Sequence, residues 1–329
     1  MTTAAKPFRK LGANGPEVFP IALGCMGMSG MYGASDDAES IATIHAAMDA
    51  GVNLLDTGDF YGMGANEMLI ARALHFGRDE VLLSVKFGAQ RAPSGAWLGF
   101  DARPAAVKTA LAYSLKRLAV DYIDIYRPSR LDPNVPIEDT VGAIAEMVKA
   151  GYVRHIGLSE VGPETIRRAA KVHPIVDLQI EYALVSRMPE AKIFPALQEL
   201  GIGATTYGAL SRGLLSGSQP AAQGDFRARL PRFTGDNLES NRQLVAKLKE
   251  IAHGKAITQV QLAVAWVLAK QSFVVPVIGA RTRTQLTETL GALAVKLTPE
   301  EFAEIEAAVP AVAGTRYDPV QMRNLDSEK

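Results

Sequence analysis

The chain has 329 residues, 48% of them apolar, enough to bury one large α/β core or two smaller ones. Basic and acidic residues stand at 35 each, so the formal charge is zero and no overall field recruits nucleic acid or an anionic membrane. A single cysteine, Cys25, excludes an internal disulfide and a thiolate metal cluster, and suits a reducing cytoplasm.

The opening MTTAAKPFRK lacks the apolar centre of a secretory signal and no cleavage pattern follows it, so export is not indicated. Segments 8–11 and 17–19 flank Asn14-Gly15, a pair that tolerates positive φ, and predict a hairpin ahead of the main domain. Short apolar runs follow at 21–24, 53–56, 81–85, 123–126, 153–159, 178–180, 203–206 and 274–278, and read as eight strands. Between them, 36–50, 103–118, 137–150, 163–171 and 190–200 carry apolar residues at helical spacing. The most apolar long stretch, 260–279, is interrupted by Gln261, Lys270, Gln271 and Pro276 and predicts a buried helix followed by a strand, not a membrane span.

This alternation is the rhythm of a parallel sheet. Eight such units with right-handed crossovers close on themselves, whereas a doubly wound sheet more often uses about five or six strands. The expected fold is therefore α/β, a (β/α)8 TIM barrel with an N-terminal β-hairpin, in one domain over 1–329 with a tail from 310. The stretch 207–236, rich in Gly, Ser, Gln and Arg, is too long for an ordinary connection and reads as a functional loop. No internal repeat, low-complexity tract or GxGxxG motif is present. In such barrels chemistry gathers at the C-terminal strand ends.

The second strand runs into Asp56-Thr57-Gly58-Asp59-Phe60-Tyr61-Gly62, and the third ends in Ser84-Val85-Lys86-Phe87. With Leu23-Gly24-Cys25-Met26-Gly27-Met28-Ser29, Gly157-Leu158-Ser159, the run from Tyr207 to Gly217, Ile278-Gly279-Ala280-Arg281 and Gly291-Ala292, these segments resemble the aldo-keto reductases over nearly the whole chain. The resemblance implies a nicotinamide-dependent oxidoreductase acting on a small carbonyl or alcohol. It makes Tyr61 the acid or base, Lys86 its tuner and Asp56 the partner of the lysine. The chemistry agrees: a ketone receiving hydride develops negative charge on oxygen, and a nearby ammonium is expected to lower the phenol's pKa. No side chain donates hydride, so a reduced cofactor is required.

The chain departs from the family after the fourth strand. Where the family carries a histidine in a segment like DLYYQHR, this sequence reads Asp124-Ile125-Tyr126-Arg127-Pro128-Ser129-Arg130, with Ser129 at the histidine's place. Strand alternation puts Ile125, Arg127 and Ser129 on one face and turns Arg127 toward the barrel mouth, with Glu160 and Glu181 as its expected counter-ions. Two readings stay open: Arg127 and Ser129 reshape the substrate pocket, or Arg127 forms a structural ion pair.

By the same resemblance Ser159 and Gln179 hold the nicotinamide carboxamide and Tyr207 stacks on the ring. Gly208, Leu210, Ser211, Gly213 and Leu215 belong to a cofactor-covering strap. Gly279, Arg281 and Gln285 bind phosphate at a helix N-terminus, Glu288 meets the adenine, and Thr289 stands where the family often has Asn. NADP(H) is the expected cofactor, with NAD(H) second. Met28, Tyr32, Phe60, Phe87 and Trp97 are candidates for an apolar substrate wall. Two rival readings are an NADPH-binding regulatory protein of low activity, favoured by the missing histidine, and a barrel enzyme using Lys86 as a Schiff base, which leaves the Tyr207 loop and Arg281 unexplained.

Overall fold

A computed structural model of the protein describes residues 8–75, 77–220 and 225–329; the reading of the first seven residues, and 221–224 of the long loop, lie outside them. Eight strands form a closed barrel: β1 (Ala22–Gly24), β2 (Leu54–Gly58), β3 (Leu82–Phe87), β4 (Ile123–Pro128), β5 (Val153–Ser159), β6 (Ile175–Glu181), β7 (Gly203–Tyr207) and β8 (Val274–Gly279). Each pairs in parallel with its sequence neighbour, and β8 closes on β1 through Val277↔Ala22. The runs are legible because they are buried on both faces: β2, β4 and β6 have no exposed position.

The connecting helices are α1 (Asp37–Asp49), α2 (Ala65–Ala73), α3 (Pro104–Leu118), α4 (Ile137–Lys149), α5 (Pro163–Val172), α6 (Pro189–Leu200), α7 (Gly235–Gly254), α8 (Gln259–Lys270) and α9 (Arg283–Leu290), followed by α10 (Pro299–Ala308) and α11 (Pro319–Asn324). Local chemistry sets their starts. The Asp36 side chain accepts from the Glu39 amide, Thr258 and Gln261 form a reciprocal box before α8, and Pro104, Pro163 and Pro189 occupy first-turn positions. No helix among the described residues is long and apolar enough to cross a membrane.

The predicted hairpin is present as Arg9–Lys10 paired with Glu17–Val18. Its Leu11 and Val18 join Ala22, Leu54, Ile125, Val176 and Val275 in an apolar cluster that plugs the N-terminal end of the barrel. The opposite end is the mouth. Two additions there were not anticipated: an antiparallel pair, Ala89–Arg91 with Trp97–Phe100, inserted after β3, and a C-terminal segment that folds back over the mouth. The long loop contains three short 3-10 turns, Ser211–Ser216, Phe226–Arg229 and Pro231–Phe233.

The barrel interior carries a polar layer above the plug. Arg127 points inward, as alternation requires, but its charge is met beneath the mouth by Asp177 at 2.8 Å, with both side chains at 0% exposure. Glu160 and Glu181 are not its counter-ions. Glu160 binds Arg316, and Glu181 binds Arg212 and Arg232. The guanidinium is held inside the barrel by Asp177, near the start of β6, and by Thr205 Oγ1 and Ser84 Oγ. Gly157 makes room: a Cβ there would stand 2.7 Å from Asp177 Oδ1 and 3.0 Å from Arg127 Cζ.

Candidate active site

Tyr61 follows β2 directly, at the start of a tight turn, Tyr61–Gly64, that needs positive φ at Gly62, Met63 and Gly64. Lys86 stands on β3 opposite Gly58, whose missing side chain leaves space for both residues, and Lys86 Nζ lies 5.1 Å from the Tyr61 ring centroid. Asp56 Oδ1 accepts from Lys86 Nζ at 2.5 Å, while its Oδ2 accepts from Ser84 Oγ at 2.9 Å and Gln179 Nε2 at 2.8 Å. The carboxylate is therefore fully engaged and the ammonium fixed. Arg127 Nη2 donates to Ser84 Oγ at 3.0 Å, so a chain of contacts runs from the interior ion pair through Ser84 and Asp56 to Lys86.

Burial, and secondarily Asp56, pushes the Tyr61 phenol well above its ordinary value of 10.0. The lowering expected from Lys86 is not found, because the ammonium is neutralised by Asp56 and the ring is out of water. Lys86 itself is lowered, chiefly by burial, with Asp56 opposing. The Tyr61 phenol is thus held neutral.

One cavity of about 1260 Å³ begins at Asp56, Tyr61 and Lys86 and runs past Ser129, Gln179, Tyr207, Gly208, Leu210 and Gly213 to Gly279, Arg281, Gln285, Glu288 and Thr289. Most sequence candidates therefore share one wall. Four do not: Arg127 is sealed below, Leu215 is packed in the core at 0% exposure, Ser211 accepts from Arg232, and Ser159 is 1% exposed beneath Arg130. Of the apolar candidates Tyr32, Phe60 and Trp97 line the cavity, whereas Met28 is buried and Phe87 stacks on Tyr126.

The cavity end beyond Tyr207 is bounded by the loop at Gly213 and by the head of α9. Gly213 has φ +90° and a Cβ there would press on Arg227 at 3.0 Å, so the loop backbone itself forms the wall. Arg281 donates to the carbonyls of Tyr32 and Ala34, its amide donates to Gln285 Oε1, and Thr282 caps α9. Arg283, by contrast, is engaged by Glu39 at the surface.

Sequence reasoning assigned no role to Arg130, Arg212 or Tyr317, which all line this cavity. Tyr317 OH lies 3.2 Å from Tyr207 OH, and Tyr207 donates to Glu160 Oε1 at 2.7 Å. Glu160 also takes both Arg316 nitrogens, at 2.8 and 2.6 Å, and Ser327 Oγ at 2.7 Å. Burial raises the Glu160 carboxyl, but Arg316, Arg130 and the Tyr207 hydroxyl outweigh it and hold it well below the usual range. The C-terminal segment is thus latched to the end of β5.

The family model of the aldo/keto reductases matches residues 20–310. The chain is 40% identical to probable aldo-keto reductase 1 from Glycine max over 325 residues, covering 96% of this chain and 93% of that protein. Among solved structures it is similar to the glycerol dehydrogenase AKR11B4 from Gluconobacter oxydans, with a TM-score of 0.84, 27% identity and coverage of 96% and 99% of the two chains. The holo form of the aldo-keto reductase AKR11C1 from Bacillus halodurans gives a TM-score of 0.77, 28% identity and coverage of 95% and 98%. The chain belongs to the aldo-keto reductase family, whose chemistry is the nicotinamide-dependent reduction of carbonyl compounds.

Proposed function

We propose that the protein interconverts an aldehyde or ketone and its alcohol, using NADP(H) in preference to NAD(H), with Tyr61 as the proton donor in reduction and the acceptor in oxidation. The observation that carries this reading is the single cavity joining Tyr61, Lys86 and Asp56 to Arg281, Gln285 and Glu288. The residues fit the cofactor: a Gly-lined loop, an aromatic face at Tyr207, and an arginine at the head of α9. When bound, reduced nicotinamide supplies the hydride to the carbonyl carbon.

The protein's own part is to hold the carbonyl oxygen near Tyr61 and deliver a proton as negative charge develops there. Burial keeps the phenol protonated until that charge forms. Lys86, anchored by Asp56, places a positive charge beside the phenolate that proton transfer leaves behind. Arg127 acts from below as a positioning residue, through Ser84 and Asp56.

The test is fluorescence titration with NADPH and NADH, followed by a panel of aldehydes and ketones monitored through loss of reduced nicotinamide. Tighter NADPH binding with turnover supports the proposal. Tight binding with no turnover on any carbonyl would replace it with a cofactor-binding regulatory role, which Ser129 at the histidine's place favours.

A further inference from the structure

The Tyr61 end of the cavity holds a cation without a carboxylate counter-ion among the described residues. Of the other cations on its wall, Lys86, Arg212 and Arg227 pair with Asp56, Glu181 and Asp225, whereas Arg91 donates to the Gly95 carbonyl and Arg281 to those of Tyr32 and Ala34. Arg130 lines the same wall and has no carboxylate within 4.0 Å among the described residues. Its contacts are neutral: it donates to the Ser129 carbonyl at 2.6 Å, Ser159 Oγ at 3.4 Å and Tyr317 OH at 3.2 Å. Burial opposes its charge, while Tyr317, Tyr207 and, after them, Glu160 favour it; Glu160 is already held by Arg316, Ser327 and Tyr207. A guanidinium cannot shed its charge by deprotonation, and its planar fork matches a carboxylate.

A second observation lies beside it. Ser129 Oγ, on a residue only 3% exposed that lines the same cavity, has no hydrogen-bond partner. A buried hydroxyl left unpaired costs free energy unless a ligand supplies the missing bond. Tyr317 adds a third polar group: burial raises its phenol, but Arg212 and Arg130 outweigh that and bring it below its ordinary value. Arg130 is also close enough to act electrostatically on both Tyr61 and Lys86, so this corner belongs to the reacting end and not to the Arg281 end.

We propose that Arg130, with Ser129 Oγ and Tyr317, binds a carboxylate carried by the carbonyl substrate, so that the protein selects oxo acids over neutral aldehydes and ketones. The inference rests on the reductase reading for its turnover test and on direct binding for the anion site. The carbonyl lies toward Tyr61 and the carboxylate toward Arg130 in the same end of the cavity. Phe60 and Trp97 line the same cavity and supply apolar surface for the carbon skeleton.

The experiment compares kcat/KM for 4-carboxybenzaldehyde and 4-methylbenzaldehyde in the wild type, Arg130→Met and Arg130→Lys. It also measures benzoate and benzamide binding to the NADP+-loaded proteins by calorimetry. We expect the wild type to favour the acid by about tenfold or more, mainly through KM; Arg130→Met collapses that ratio by a similar factor, and Arg130→Lys restores part of it. Benzoate is expected to bind the wild type more tightly than benzamide by about the same factor, and Arg130→Met to remove that preference. A wild-type ratio within about twofold of one, or a ratio unmoved by Arg130→Met, overturns the inference while leaving the reductase reading intact. Failure of both aldehydes and of the wider panel would sink the reductase reading, and the benzoate comparison would still decide the anion site.

Discussion

Arg127 and Asp177 meet at 2.8 Å inside the barrel, 50 residues apart in sequence and both wholly shut off from solvent. Removing one partner of such a pair strands a charge in the interior, and the expected cost is about 3–5 kcal/mol. Arg127→Met is therefore predicted to lower the midpoints of thermal and chemical unfolding sharply, and Arg127→Met with Asp177→Leu to recover most of the loss. A double variant whose loss equals the sum of the two single losses would show that the charges are not coupled.

Tyr61→Phe keeps the ring packing and removes the proton. Turnover is predicted to fall by about 10²–10⁴-fold, with cofactor affinity retained within about twofold. Lys86→Met is expected to lower turnover as well and to shift the pH profile, because the phenolate loses its neighbouring charge. Stopped-flow turnover and cofactor titration check both; a Tyr61→Phe variant of near-normal turnover would remove the phenol from the reaction.

Asp59, two residues before Tyr61, is pushed up to about 7 from 3.8, first by burial and then by Glu67, with the Gly88 amide and Arg117 opposing. The folded protein thus keeps a proton that the unfolded chain releases at lower pH. Stability from this group is fully present below about pH 4, declines as pH rises, and is gone once pH passes about 7. Asp59→Asn cannot ionise, so its unfolding midpoint is predicted to gain on the wild type between pH 4 and pH 8. Parallel melting curves over that range would refute the assignment.

The C-terminal segment is held chiefly by Arg316 on Glu160. Arg316→Ala is predicted to raise amide hydrogen exchange across 316–328 by about tenfold or more while exchange in β2 and β3 stays slow, since the latch opens locally. It should also raise KM, because Tyr317, Gln321 and Asn324 line the cavity. Unchanged exchange in that segment would mean that other contacts hold it.

Much of the barrel is legible in the sequence because its strands are buried on both faces and its helices are not; the run 153–159 coincides with β5, Val153–Ser159. The inserted pair Ala89–Arg91 and Trp97–Phe100 was invisible, since two short strands joined by Pro93-Ser94-Gly95 look like loop. Alternation turns Arg127 toward the mouth, but the side chain is sealed inside the barrel on Asp177. The pattern could not supply Asp177, whose inward direction says nothing of its height along the barrel. Arg130 escaped notice for a related reason: β4 ends at Pro128, and beyond that point alternation no longer tells which way a side chain faces. Tyr317 sits in a segment without period, so only the folded chain brings it beside Tyr207.

Positions 127, 157 and 177 form an inseparable trio. The bare backbone at Gly157 exists to clear a path for two charged groups, so any side chain introduced there collides with them first. A designer wishing to make the interior hydrocarbon would have to exchange all three together, and an alanine at 157 should be tolerated only once the salt link is gone. Changing the triplet at once would also cut Ser84 loose from its guanidinium, carrying the alteration upward to the lysine at the mouth.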